Sequence, residues 1–265
     1  MNFIKKIIEH RKYKKSPEYI SYLECLDLNR KDVIRLSGYY DACKTVYEEM
    51  LNNHINQDSK EFLDAKEQML RWYYAMCESI KQEDFIRPNS KEEIEDRQRI
   101  ADTFGSSLKN IVGDESSLRF HGTPIYFAKD IIADGYISST ADRFDGYYKS
   151  TDLPGEFSAS DISSIERTIN FFTDFGSYQR CLPCGVLFVM KEGEEDIELR
   201  QSATMKSFNF HDNPDRLVGI LGTSEVKEML LDWVNEAKMD TSKVFTYDEF
   251  LEYALNNNIK SSKKL

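Results

Sequence analysis

The chain has 265 residues, 40% of them hydrophobic, which is enough apolar material for one large domain or two smaller ones with a real core. Its formal net charge of −11 is unevenly spread: residues 1–112 are near balance, with 19 Lys+Arg against 20 Asp+Glu, and the remainder carries 16 against 26. An acidic C-terminal half lacks the basic footprint that a phosphate backbone demands, so no nucleic acid is expected as a partner.

The chain opens with Met1-Asn2-Phe3-Ile4-Lys5-Lys6-Ile7-Ile8, an apolar stretch too short for a signal peptide and without a small-residue cleavage site. No apolar run approaches the ~18–20 residues that cross a bilayer. The expectation is a protein without stable membrane insertion, working in the cytoplasm or delivered to a host cytoplasm without a cleavable signal. Six Lys/Arg in the first fifteen residues flank Phe3, Ile4, Ile7 and Ile8, and this short apolar face suits docking on the chain's own domain better than membrane-surface contact.

Residues 1–112 read as a helical N-terminal domain. Ser16-Pro17 opens a helix through Ile20, Leu23 and Leu26, with serine as cap and proline in the first turn. From Arg30 to Asn52 the positions Val33, Leu36, Tyr40, Cys43, Val46, Tyr47 and Met50 recur at helical spacing, which predicts a second helix. Ser59–Ile80 is a third, turning Phe62, Ala65, Met69, Trp72, Tyr73 and Met76 inward. A capped helix follows from Lys91 to Leu108.

At Gly113 the texture changes to frequent glycines and short strand-prone runs, so 113–265 reads as a second domain. Ser117–Phe120 is a predicted strand, Ile125–Ala133 a helix closed by Gly135, Tyr136–Ser138 a second short strand, and Asp145–Asp152 a turn and strand. Ala159–Phe175 is read as a helix. Gly185–Met190 and Leu217–Leu221 are continuous apolar runs bounded by breakers and read as buried strands. Thr223–Asn235, with Ser224 and Glu228 near capping-box positions, and Phe245–Leu255, with Thr246 as cap, read as helices. Short strands interleaved with single helices make the class α+β. Five scattered cysteines suit reduced thiols better than a disulfide framework, and Cys181-Leu182-Pro183-Cys184 has no second pair to complete a zinc site.

Histidine is scarce, four in the chain, and one lies in Arg119-Phe120-His121-Gly122-Thr123 at the end of a predicted strand and before a helix. Gly122 lets a ligand approach the backbone, while His121 and Thr123 offer donors and acceptors to a ribose or an amide. Tyrosines in Gly146-Tyr147-Tyr148-Lys149-Ser150-Thr151-Asp152 are suited to stacking on a planar heterocycle.

The ordered set of His121-Gly122-Thr123, the helix closing on Asp134-Gly135, and Gly146 to Asp152 resembles the mono-ADP-ribosyltransferases of the diphtheria-toxin and poly(ADP-ribose) polymerase group. The likeness covers Leu118 to Asp152 and the rest in outline, with a lysine inserted between the tyrosine and Ser-Thr-Asp. It implies a split antiparallel β-sheet with flanking helices, NAD as substrate, and transfer of ADP-ribose to a protein acceptor by a toxin- or effector-like enzyme.

By the resemblance, His121 bonds the nicotinamide ribose, the Gly122 backbone grips the carboxamide, and Tyr148 or its neighbour Tyr147 stacks on the ring. Ser150 and Thr151 support that pocket, with Thr123 and Arg119 beside it. A glutamate after a later strand would bind the ribose 2′-hydroxyl and counter the positive charge of an oxocarbenium-like transition state. Glu225 is the first choice and Glu228 the second. Two other readings stand beside this one: a catalytically degenerate transferase fold acting by protein–protein interaction, and an RNA 2′-phosphotransferase, which the acidic second half disfavours.

Overall fold

The computed structural model describes residues 14, 16–114, 116–137, 156–173, 181–193, 203–257 and 259. Its chain divides into two compact units, one made of the residues through Asn89 with 180–182, the other beginning at Ser90. The change of texture at Gly113 therefore marks the end of a helical run, and the helices from Ser90 to Val112 belong to the same unit as the sheet.

In the first unit, helix α1 (Pro17–Asn52) lies antiparallel to α2 (Lys60–Glu83). Ser16 and Ser59 cap them, each accepting a backbone N–H three residues on. The two helices expected before Asn52 are one, because Asp27-Leu28-Asn29 contains no breaker, and Asn29, fully buried, gives its amide to the Ser79 carbonyl at 2.9 Å. Aromatic pairs form the seam: Tyr39 with Trp72, Tyr40 with Tyr73, and Tyr47 with Phe62, centroids 4.8–5.5 Å apart. Cys25 is paired in a disulfide with Cys181, Cα atoms 6.5 Å apart. This corrects the expectation of reduced thiols for those two. The partners are 156 residues apart, so spacing carried no sign of the bond.

The second unit is built on a sheet of order β1-β3-β5-β6, from β1 (Leu118–Thr123), β3 (Val186–Lys191), β5 (Leu217–Gly222) and β6 (Val244–Thr246). A second, two-stranded sheet pairs β2 (Glu156–Ala159) with β4 (Ala203–Lys206), antiparallel. The α+β class holds, but the main sheet is mixed: β1–β3 and β3–β5 are antiparallel, whereas β5–β6 is parallel. The helix between β5 and β6 is the cause, since a strand reached through a helical crossover arrives in the same direction.

The other helices are α3 (Lys91–Arg99), continued by a π-turn over Ile100–Phe104 into α4 (Gly105–Val112), then α5 (Ile125–Asp134), α6 (Ile165–Thr173), α7 (Ser224–Glu236) and α8 (Tyr247–Asn256). The helix expected from Ala159 starts only at Ile165. Phe157 and Ala159 are buried while Ser158 is exposed, a period of two that makes Glu156–Ala159 a strand. Tyr136 contributes a single bridge, to Asn209, rather than a strand.

Strand alternation sorts the sheet's side chains onto two faces. Leu118, Phe120, Leu187, Val189 and Leu221 pack on one side in the core with Phe104, Leu108, Ile165, Ile169 and Phe250. The other face carries Arg119, His121, Thr123, Phe188 and Ile220, set opposite one another by the registers His121↔Phe188 and Phe188↔Ile220. Gly222, at the end of β5, lets α7 sit hard against this face, since a Cβ there would lie 2.8 Å from Val226 Cγ1 and 2.9 Å from Leu230 Cδ1.

Candidate functional site

His121 owes its environment to β1's place at the edge of the sheet. On one side β1 pairs with β3; on the other a single bridge joins Phe120 to Ser160, with both N–H to O distances 2.8 Å. Phe120 therefore turns its polar backbone groups outward, and Gly122, two residues on, turns its own the same way. Between them the half-buried His121 places Nδ1 2.9 Å from the Ser158 carbonyl oxygen. A carbonyl only accepts, so Nδ1 carries the proton, and in the neutral ring the lone pair is on Nε2. Phe157 meets the imidazole edge-on, centroids 5.6 Å apart at 88°. Phe157 is the aromatic partner that sequence reasoning missed, since it lies between the segment ending at Asp152 and the helix expected from Ala159.

Thr123 shares this face and is buried. Arg119 is also on it, but its guanidinium is committed to Glu192 at 2.8 Å and to the Leu118 carbonyl at 3.1 Å. Tyr147, Tyr148, Ser150 and Thr151 lie outside the described residues.

Glu225 sits in the first turn of α7 and is half-buried, while Glu228, a turn on, is exposed. β1 and β5 flank β3 and run in the same direction, so Thr123 and Gly222 end at the same edge of the sheet. Two inter-strand steps separate them, about 10 Å. The fold thus brings His121, Gly122, Thr123 and Glu225 to one end of one sheet.

That end is held by groups the sequence did not single out. Ser90-Lys91-Glu92-Glu93 has the pattern of a capping box, and Ser90 does accept the Glu93 backbone N–H at 3.0 Å. The Glu93 carboxylate, only 1% exposed, turns elsewhere: it accepts the Cys184 N–H at 2.7 Å on one oxygen and the Thr223 hydroxyl on the other. One turn along α3, Asp96 accepts the Ser224 hydroxyl at 3.1 Å and its N–H at 3.4 Å. Arg99 holds Asp96 in turn and reaches Asp248. Partial burial raises the Asp96 carboxyl's pKa, but the bonds from Arg99 and Ser224 outweigh it and leave the group below its ordinary value. Thr223, not Ser224, is the N-cap of α7; the capping box near this end of the chain is Thr246 with Glu249, on α8.

Burial pushes the Cys184 thiol up to about 12 and the Tyr247 phenol well above its ordinary value. Cys184 is thus a buried thiol at neutral pH. Among the described residues no group of three or more His, Cys, Asp or Glu could hold a metal ion, and no helix is long and apolar enough to cross a membrane. A cleft of about 570 Å³ opens at the opposite end of the sheet, bounded by Lys191, Asp215, Lys243, Phe245 and Tyr253, and it contains none of the candidate residues. Comparison of the chain with protein-family models, with curated proteins and with solved structures finds no match.

Proposed function

We propose that the second unit is an NAD-cleaving mono-ADP-ribosyltransferase that passes ADP-ribose to a protein acceptor. The observation that supports this reading is the convergence of His121 and Glu225 on one end of the sheet, from strands one apart. His121, anchored to the Ser158 carbonyl through Nδ1, is the side chain that bonds the ribose in this reading, and the outward-turned backbone of Gly122 is a donor–acceptor pair matched to a carboxamide. Breaking the bond between nicotinamide nitrogen and ribose C1′ sends that electron pair to nicotinamide and leaves positive charge on the ribose. The Glu225 carboxylate counters that charge while a nucleophile of the acceptor attacks C1′ and loses its proton.

Nicotinamide release from NAD tests the proposal. His121→Ala and Glu225→Gln are each expected to slow it about 100- to 1,000-fold, to a residual rate still measurable, with the circular dichroism spectrum retained; unchanged release in both variants overturns the assignment. NAD binding by calorimetry without any release would instead identify a binding module on a degenerate transferase fold.

A further inference from the structure

We infer that Glu93 and Asp96 are positioning residues for Glu225, acting through Thr223 and Ser224; this rests on the reading of Glu225 as the ribose-binding carboxylate. An N-cap threonine ordinarily turns its oxygen inward to accept an N–H of the first turn. Thr223 makes no such bond and gives its hydroxyl to Glu93 instead. The next residue, Ser224, gives both its N–H and its hydroxyl to Asp96. Glu93 and Asp96 are i and i+3 on α3, so they present two acceptors from one helix face.

The two residues immediately before Glu225 are therefore fixed from outside α7. Glu93 binds the Cys184 N–H with its other oxygen, just ahead of β3, so the same carboxylate references the β5–α7 junction to the sheet. Arg99, bonded to Asp96 and to Asp248 on α8, keeps Asp96 from swinging away. A carboxylate that must meet a developing charge tolerates displacement of only about 0.5 Å, and helix first turns fray unless they are capped. Glu225 occupies such a first turn, where the Ser224 N–H is taken by Asp96 of a different helix and the N-cap side chain takes none.

The test uses the full chain with Asp96→Ala, Asp96→Asn, Ser224→Ala and Glu225→Gln, reading backbone hydrogen exchange over residues 223–228 together with kcat and KM for NAD cleavage. Asp96→Ala and Ser224→Ala are expected to speed exchange in that turn and to lower kcat about 10- to 100-fold with KM for NAD unchanged. Asp96→Asn keeps an acceptor oxygen and should recover most of the rate. On the Glu225→Gln background, Asp96→Ala should cause no further loss.

Unchanged exchange in both alanine variants, or an equal fold-loss with and without Glu225→Gln, overturns the positioning role. Wild-type release by Glu225→Gln, or none by the wild-type chain, instead overturns the reading of Glu225, and the inference falls with it. Should Asp96→Ala not fold, Ser224→Ala, which removes only the hydroxyl's bond, decides the question.

Discussion

Replacing Glu93 with alanine removes the shared acceptor of two buried donors, the Cys184 N–H and the Thr223 hydroxyl. The backbone N–H has no freedom to turn elsewhere, and leaving it without an acceptor costs about 1–3 kcal/mol. The hydroxyl can rotate, so its loss is smaller, about 1 kcal/mol. The two sum to about 2–4 kcal/mol, and relief from burying a carboxylate offsets part of this, giving a net loss of about 1–3 kcal/mol. Glutamine separates these contributions. Its amide oxygen can take the Cys184 N–H, and its NH₂ can donate to Thr223 once the hydroxyl reverses from donor to acceptor, so Glu93→Gln should lie within about 1 kcal/mol of wild type. Urea unfolding read by Trp233, on α7, in a Trp72→Phe background isolates the signal, since the chain has two tryptophans. An alanine variant losing under about 1 kcal/mol, or a glutamine variant as unstable as alanine, refutes the hydrogen-bond accounting.

Because Asp96 has a folded-state pKa below its unfolded value, its contribution is present above the ordinary aspartate range, near 4, and is lost as the pH falls through the folded value. The stability gap between wild type and Asp96→Asn should therefore be full at pH 6 and shrink below pH ~4; a gap independent of pH in urea titrations at pH 6 and pH 3 contradicts the assigned ionisation. Gly135 closes α5 at φ +70°, with a Cβ there 2.9 Å from His211 Cδ2, so Gly135→Ala should destabilise by about 1–2 kcal/mol in thermal unfolding. A neutral result would mean that the turn relaxes into another conformation.

The features legible in the sequence were those set by neighbours along the chain. Ser16, Ser59 and Ser90 cap the helices they precede, because a serine oxygen reaches an N–H three residues on whatever surrounds it. Gly135 ends α5 because the left-handed turn needs no partner beyond the helix itself. The runs at β3 and β5 were readable because strands covered on both faces are apolar throughout. His121-Gly122-Thr123 was likewise legible as the end of a strand, down to its position before α5.

What the tertiary structure decided were pairings between groups far apart. Cys25 and Cys181 carry no local mark of one another, and Phe157 became the neighbour of His121 only because Ser160, just past β2, bridges the outer edge of β1. Glu93 makes the case most sharply. In the first turn of a helix it satisfies the capping pattern and the helix dipole equally well wherever its carboxylate points. Only the packing of α3 against the end of the sheet turns it away from Ser90 and onto Thr223, 130 residues further along. Local propensity specifies which groups are present at such a position; the burial that makes an unmatched N–H and hydroxyl costly selects the partners they find.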